Sequence, residues 1–177
     1  MEVYEAKNAG FCFGVSRAVE TCEKMLEKGE PFYTVGEIIH NETVLEDFAA
    51  RGVKIIDDGL ELSGLKPGIA VIRAHGAAPE VCSKLRDHGF TVEDATCPFV
   101  KKIHRLAEEY SDKGYHIILV GKKTHPEVKG ICGYVRGGID VVSDESDIDD
   151  IFPIKNKQIL VVSQTTFNQN KFKYLVE

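Results

Sequence analysis

The chain has 177 residues, 43% of them hydrophobic and 28% charged, and its 22 basic against 28 acidic residues leave a net charge of −6. That length can bury a real core in one or two domains, and the acidic balance argues against nucleic acid as the main partner. Met1 is followed by Glu2 with no apolar signal segment, and no apolar run approaches the roughly 20 residues of a membrane span, so a cytoplasmic protein with no membrane partner is expected.

The first predicted element is a helix whose apolar stripe is Val15, Ala18, Val19, Cys22, Met25 and Leu26. Three units then repeat one plan: a β-branched run, a polar loop with a histidine, a helix, a glycine and a second apolar run. The first unit runs Phe32–Val35, His40-Asn41, a helix over Val44–Ala50, Gly52 and Val53–Ile56. The second runs Ile69–Ile72, His75-Gly76, a helix from Pro79 to Asp87, Gly89 and Phe90–Val92. After Cys97-Pro98 comes a second long amphipathic helix, with Val100, Ile103, Leu106 and Ala107 on its stripe. The third unit runs Ile117–Val120, His125-Pro126, a helix to Val135, Gly138 and Ile139–Val142. An acidic cluster at Asp144–Asp150 reads as a solvated loop or helix start. A further strand, Ile159–Val162, leads through Ser163-Gln164-Thr165-Thr166 into a last polar helix.

The glycines follow their histidines by 12, 14 and 13 residues, the place of a left-handed helix stop. Strands alternating with helices predict the α/β class with mostly parallel sheets. Cys97-Pro98 marks a seam between two similar small α/β domains, 1–96 and 97–177, each opening on a cysteine and a long helix.

Ligands of parallel α/β sheets bind beyond the carboxyl ends of the strands. His40, His75, His125 and Thr165 all fall there, each just before a helix. Helix N-termini present free N–H groups to anions, so these residues are candidates to converge on a phosphate or diphosphate. Glu127, two residues after His125, reads equally as first-turn helix chemistry or as a proton donor to bound substrate. His88, His104 and His116 lack this setting and read as surface or packing residues.

The five cysteines divide by context. Cys22 and Cys132 lie on apolar stripes and read as small core hydrophobes, as does Cys82 beside Val81. Cys12, in Gly10-Phe11-Cys12-Phe13-Gly14, and Cys97, in Asp94-Ala95-Thr96-Cys97-Pro98, instead stand at predicted helix starts. A thiolate is the form that binds metal. Two such ligands are too few for a closed zinc site, and a cluster of iron and sulfide needs further thiolates. No Cys-x-x-Cys pair, dinucleotide fingerprint or Walker loop is present.

Six motifs in order carry a resemblance: Gly10-Phe11-Cys12-Phe13-Gly14-Val15, His40-Asn41, Ala74-His75-Gly76, Asp94-Ala95-Thr96-Cys97-Pro98, His125-Pro126-Glu127-Val128 with Gly130, and Ser163-Gln164-Thr165-Thr166. With these the chain resembles the N-terminal two-thirds of 4-hydroxy-3-methylbut-2-enyl diphosphate reductases, the last enzymes of the non-mevalonate isoprenoid pathway. The resemblance implies three similar α/β domains around an iron–sulfur cluster, of the 4Fe–4S type, with two of the domains present and the third absent from this chain. It implies that Cys12 and Cys97 ligate the cluster, and that His40, His75 and His125 surround an allylic diphosphate. It further implies that Glu127 delivers protons and that Thr165 contacts the substrate hydroxyl. The implied reaction is a two-electron reductive dehydroxylation giving isopentenyl and dimethylallyl diphosphates, with ferredoxin or flavodoxin as electron donor. The family's third cysteine and its Ser-x-Asn loop have no counterpart here, and Cys22, Cys82 and Cys132 do not replace that cysteine. Two other readings stand beside it: a non-catalytic phosphate-binding α/β module, and a zinc hydrolase built on the three histidines and Glu127.

Overall fold

The computed structural model of the chain describes residues 2–4, 6, 9–29, 31–57, 60–151, 154 and 158–177. Helix α1 (Phe13–Lys28) leads into β1 (Phe32–Val35), α2 (Glu42–Ala50), β2 (Lys54–Ile56), β3 (Ile69–Ile72), α3 (Pro79–Asp87) and β4 (Thr91–Asp94). These strands form one sheet in the order β2-β1-β3-β4, and every pairing is parallel. Beyond the Cys97-Pro98 seam follow α4 (Pro98–Asp112), β5 (His116–Val120), α5 (Pro126–Cys132), β6 (Ile139–Val142), α6 (Ser146–Asp149), β7 (Ile159–Ser163) and α7 (Gln169–Val176). Their strands form a second parallel sheet in the order β6-β5-β7. The α/β class with parallel sheets is therefore as the sequence predicts.

The apolar stripes bury where periodicity places them. Ala18, Cys22 and Met25 of α1 pack with Phe32, Val71 and Phe48 on one face of the first sheet. Val35, Ile56, Ala70 and Ile72 pack with Leu85 and Phe90 on the other. In the second unit, Ala107 of α4 and Val128 and Ile131 of α5 cover Ile117 and Leu119 of β5. Burial pushes the Cys22 thiol up to about 12, and it raises those of half-buried Cys82 and Cys132. All three stay protonated near neutral pH, as packing residues do.

Two glycine stops behave as expected: Gly52 and Gly89 have φ of 91° and 83°, directly after the caps of α2 and α3. The third does not. Helix α5 ends at Cys132 rather than Val135, and its cap Gly133 keeps a right-handed φ of −66°. Gly138, predicted as the stop, instead leaves room for the His116 ring, which a side chain there would strike.

The glycines of α5 face a tertiary neighbour. A Cβ on Gly133 would sit 3.0 Å from Ala78 Cα, and one on Gly130 would sit 3.7 Å from Ala77 N. Helix α5 of the second unit thus presses its glycine side onto the 74–78 loop of the first. The two glycines are expected to differ on substitution. Gly130→Ala finds ordinary van der Waals space within a helix, where alanine gains roughly 0.5–1 kcal/mol over glycine. Gly133→Ala overpacks against backbone and is expected to cost roughly 1–3 kcal/mol. Urea unfolding of both variants checks this ordering.

Candidate functional site

The three strand-end histidines come from three separate loops. His40 follows β1 and precedes Asn41, whose side chain caps α2 by accepting from Val44 N. His75 follows β3, and Ala74 N bonds Ile38 O, joining the first two loops. His125 follows β5 and is itself the cap of α5: its Nδ1 accepts the N–H of Glu127 at 3.1 Å. Pro126 at the first helical position is preorganised for this start. Of the three, only His125 lies at a helix N-terminus proper. His75 stands four positions before Pro79, and Thr165 four before Gln169.

The rings nevertheless converge. Centroids lie 4.7 Å apart for His40 and His75, 5.3 Å for His75 and His125, and 6.2 Å for His40 and His125. One nitrogen from each ring lies within 4.8 Å of the others. His40 is exposed and pairs Nδ1 with Glu37 at 3.1 Å. His75 is half-buried, and its Nδ1 has no hydrogen-bond partner among the described residues. Burial lowers His75 to about 4, with His40, His125 and Arg73 adding to the effect. Burial likewise lowers His125, with help from His40, Arg73 and Lys122. At neutral pH these two rings are therefore uncharged donors rather than the imidazolium cations that an anion site first suggests. In neutral His125 the bond to Glu127 N occupies the Nδ1 lone pair, which puts the proton on Nε2. A donor there suits an anion's oxygen and opposes a metal ion, which needs a lone pair.

Glu127 is fully buried on α5. Both carboxylate oxygens are held by Thr165: its N–H donates to Oε1 at 2.7 Å and its hydroxyl to Oε2 at 2.8 Å. Buried Gln164 steadies that loop, accepting Lys122 N at 3.1 Å and donating to Thr166 Oγ1 at 2.8 Å. Gly121 lets the loop come close, since a Cβ there would lie 2.7 Å from Val128 and 3.0 Å from Gln164. Burial raises the carboxyl of Glu127 above its ordinary range, and the two Thr165 bonds only partly oppose this. Thr165 itself is exposed, so the acid reaches solvent through the threonine hydroxyl.

The two junction cysteines cap helices as their sequence context implies. Cys12 caps α1 and Cys97 caps α4, neither through its side chain. Cys97 Sγ occupies the space that Gly14 leaves open, where a Cβ would lie 2.6 Å away. One thiol thus rests on the first turn of the helix that the other caps. Arg17 of α1 donates to Thr96 O at 2.9 Å, and Cys97 N donates to Ala74 O at 2.9 Å, which fixes the seam to the His75 loop. Two thiols at the caps of adjoining helices are of the donor type a metal–sulfur centre takes. Arg73 and Glu37 are not among the residues the sequence singles out, and His104 reads there as a surface or packing residue. Arg73 is buried at the end of β3, two residues before His75; its signal was a cation directly after an apolar strand.

The fold and site define a parallel α/β protein in which three imidazoles from two sheets converge near a buried acid. The chain matches the LytB protein family over residues 3–177 and belongs to it. It is 38% identical to the 4-hydroxy-3-methylbut-2-enyl diphosphate reductase of Alkaliphilus oremlandii, over 99% of this chain and 62% of that protein. It is 40% identical to the protein of that name from Thermoanaerobacter sp. strain X514, over 100% and 62%. The structure of the E-1-hydroxy-2-methyl-but-2-enyl-4-diphosphate reductase from Plasmodium falciparum superposes with a TM-score of 0.89 at 31% identity, covering 96% of this chain and 53% of that one. A second solved structure, of (E)-4-hydroxy-3-methyl-but-2-enyl diphosphate reductase, superposes with a TM-score of 0.82 at 38% identity, covering 97% and 60%. The chain spans about 62% of the length of these bacterial relatives. No helix among the described residues is long and apolar enough to cross a membrane.

The burial of Glu127 has a consequence for stability. An acid whose folded pKa is raised favours the fold most below its ordinary value of 4.5, and that contribution is lost as pH rises through the folded value. Glu127→Gln keeps an oxygen for Thr165 N–H and an NH2 for the hydroxyl, which can turn to accept. The variant is expected to be more stable than the parent at pH 7–8 and to show a flatter decline above pH 4.5. Melting temperature against pH measures both.

Proposed function

We propose that the chain carries the substrate-binding and protonating part of a reductase acting on 4-hydroxy-3-methylbut-2-enyl diphosphate, in a reducing cytoplasm. The observation that carries this reading is the convergence of three imidazoles beside a buried acid whose outlet is a hydroxyl. His40, His75 and His125 bind the diphosphate. Neutral His75 and His125 donate N–H to its oxygens without taking up a further proton, and buried Arg73 contributes fixed positive charge nearby. The division into units 1–96 and 97–177 places His40 and His75 on one side and His125, Glu127 and Thr165 on the other, so substrate binds across the seam.

Cys12 and Cys97 are the ligands this chain supplies to an iron–sulfur cluster of the 4Fe–4S type. When bound, that group supplies electrons that reach it from a ferredoxin or flavodoxin. The net change consumes two electrons and two protons, exchanges the allylic C–O bond for C–H and releases water. The protein's task is then to deliver protons at the hydroxyl. Glu127 is too buried to touch substrate. Protonated, it donates to Thr165 Oγ1 across the 2.8 Å contact, and the threonine passes its own proton outward to the leaving oxygen. Burial keeps the acid protonated to higher pH than an exposed glutamate, which suits a donor.

The test is reduction of the allylic diphosphate by anaerobically reconstituted protein with a reduced viologen, with pyrophosphate binding measured by calorimetry. Glu127→Gln is expected to retain pyrophosphate affinity and lose turnover by about 10²-fold. The double variant His40→Ala, His75→Ala is expected to lose the pyrophosphate heat. Normal turnover in the first variant would remove Glu127 from the proton path, and an unchanged heat in the second would displace the anion site. The phosphate-binding module predicts pyrophosphate heat with no iron uptake, so visible absorption after reconstitution separates it from the reductase.

A further inference from the structure

His104, on the middle of α4, lies outside the cleft and takes no part in the chemistry above. It is only 4% exposed. Its ring stacks on Tyr134, just past α5, with centroids 4.3 Å apart and planes at 21°. Its other edge lies under Gly76, where a Cβ would be 2.5 Å from Cε1 and 3.2 Å from Nε2. Gly76 holds a left-handed φ of 77°, so that position is closed to a side chain by backbone and by neighbour alike. The same Nε2 lies 3.6 Å from the Cβ position of Gly130. One flat ring thus touches the residue after His75, the helix that carries Glu127, and the segment that follows it. Nε2 is buried without a hydrogen-bond partner among the described residues. The nitrogen anchors nothing, and the packing of the ring carries the contact.

We propose that His104 is a positioning residue, a spacer ring that fixes the 74–78 loop against α5 and so sets the separation of His75 from His125. Its functional consequence rests on reading the imidazole trio as the diphosphate site; its structural consequence does not. With the spacer in place, His75 is packed beside His125 and His40. Without it, α5 still meets the loop at Ala77 and Ala78, but the Gly76 end beside His75 loses the ring it packs on and is free to shift.

The test uses the chain with His104→Ala, His104→Phe and, as a control in the first core, Val53→Ala. NMR titration follows the His75 ring, which is faced by His40, His125 and Arg73, and calorimetry follows pyrophosphate. In His104→Ala the His75 midpoint is expected to rise from about 4 by roughly one unit or more as the ring gains solvent. Pyrophosphate affinity is expected to fall at least about tenfold. His104→Phe, which restores a stacked ring without the nitrogen, is expected to return both to parental values. Val53→Ala is expected to lower the melting temperature and leave the His75 midpoint where it was. An unchanged midpoint in folded His104→Ala overturns the proposal. So does a displaced midpoint in folded His104→Phe, which decides the matter if the alanine variant does not fold. Absence of pyrophosphate binding by the parent overturns the function reading alone, because the midpoints still report the spacer.

Discussion

The contact between the 74–78 loop and α5 is the constraint on which the site depends. It joins the two sheets at backbone distance, through positions without side chains or nearly so: Gly76, Ala77 and Ala78 on one side, Gly130 and Gly133 on the other. A side chain at Gly76 or Gly133 would hold the loops apart, whereas Gly130 has room for a methyl group. His75 belongs to the first sheet and His125 to the second, and their rings lie 5.3 Å apart because their carriers touch. Gly133, the cap of α5, lies in the same contact. Cys97 is tied in as well, through its N–H to Ala74 O and its thiol against Gly14. The imidazole cluster and the Cys97 cap thus hang on one seam.

The electrostatics of the cleft follow from this packing. Removing water from His75 and His125 and packing them beside a third imidazole penalises their charged forms, so these two stay neutral. The same dryness acts in the opposite sense on Glu127, favouring its protonated form. One cause therefore yields uncharged N–H donors for an anion and an acid that keeps its proton. Thr165 connects the two functions. Its backbone N–H and hydroxyl satisfy the carboxylate, and it alone of the pair is exposed. A buried carboxyl with no such partner would carry the full desolvation penalty.

Much of this was legible in the sequence because it obeys periodic rules. The stripe of Val15, Ala18, Cys22 and Met25, the β-branched runs and the histidines at their ends are local signals, and parallel α/β topology turns strand ends into one edge. The dipeptide His125-Pro126 and the glutamate behind it announced a helix start, which the cap bond shows. What local pattern could not show was contact across the seam. Glu127 read equally as helix-start chemistry or as a proton donor, and only its pairing with Thr165, 38 positions on, sets the geometry of the second reading. Gly133 read as helix interior because its reason for being small is Ala78. His104 read as a packing residue, which it is, but nothing near it in sequence indicates that it packs under Gly76. Arg73 went unnoticed because a cation beside a strand is ordinary until its burial is known.

The central claim is that one anion is held across the seam by imidazoles from both sheets. A crystal structure of the chain with pyrophosphate tests it most directly. The account predicts a diphosphate whose oxygens accept from His40 and His75 of the first unit and from His125 Nε2 of the second, with Thr165 facing the same cleft. Pyrophosphate bound by residues of one sheet alone, or away from the three rings, would contradict it.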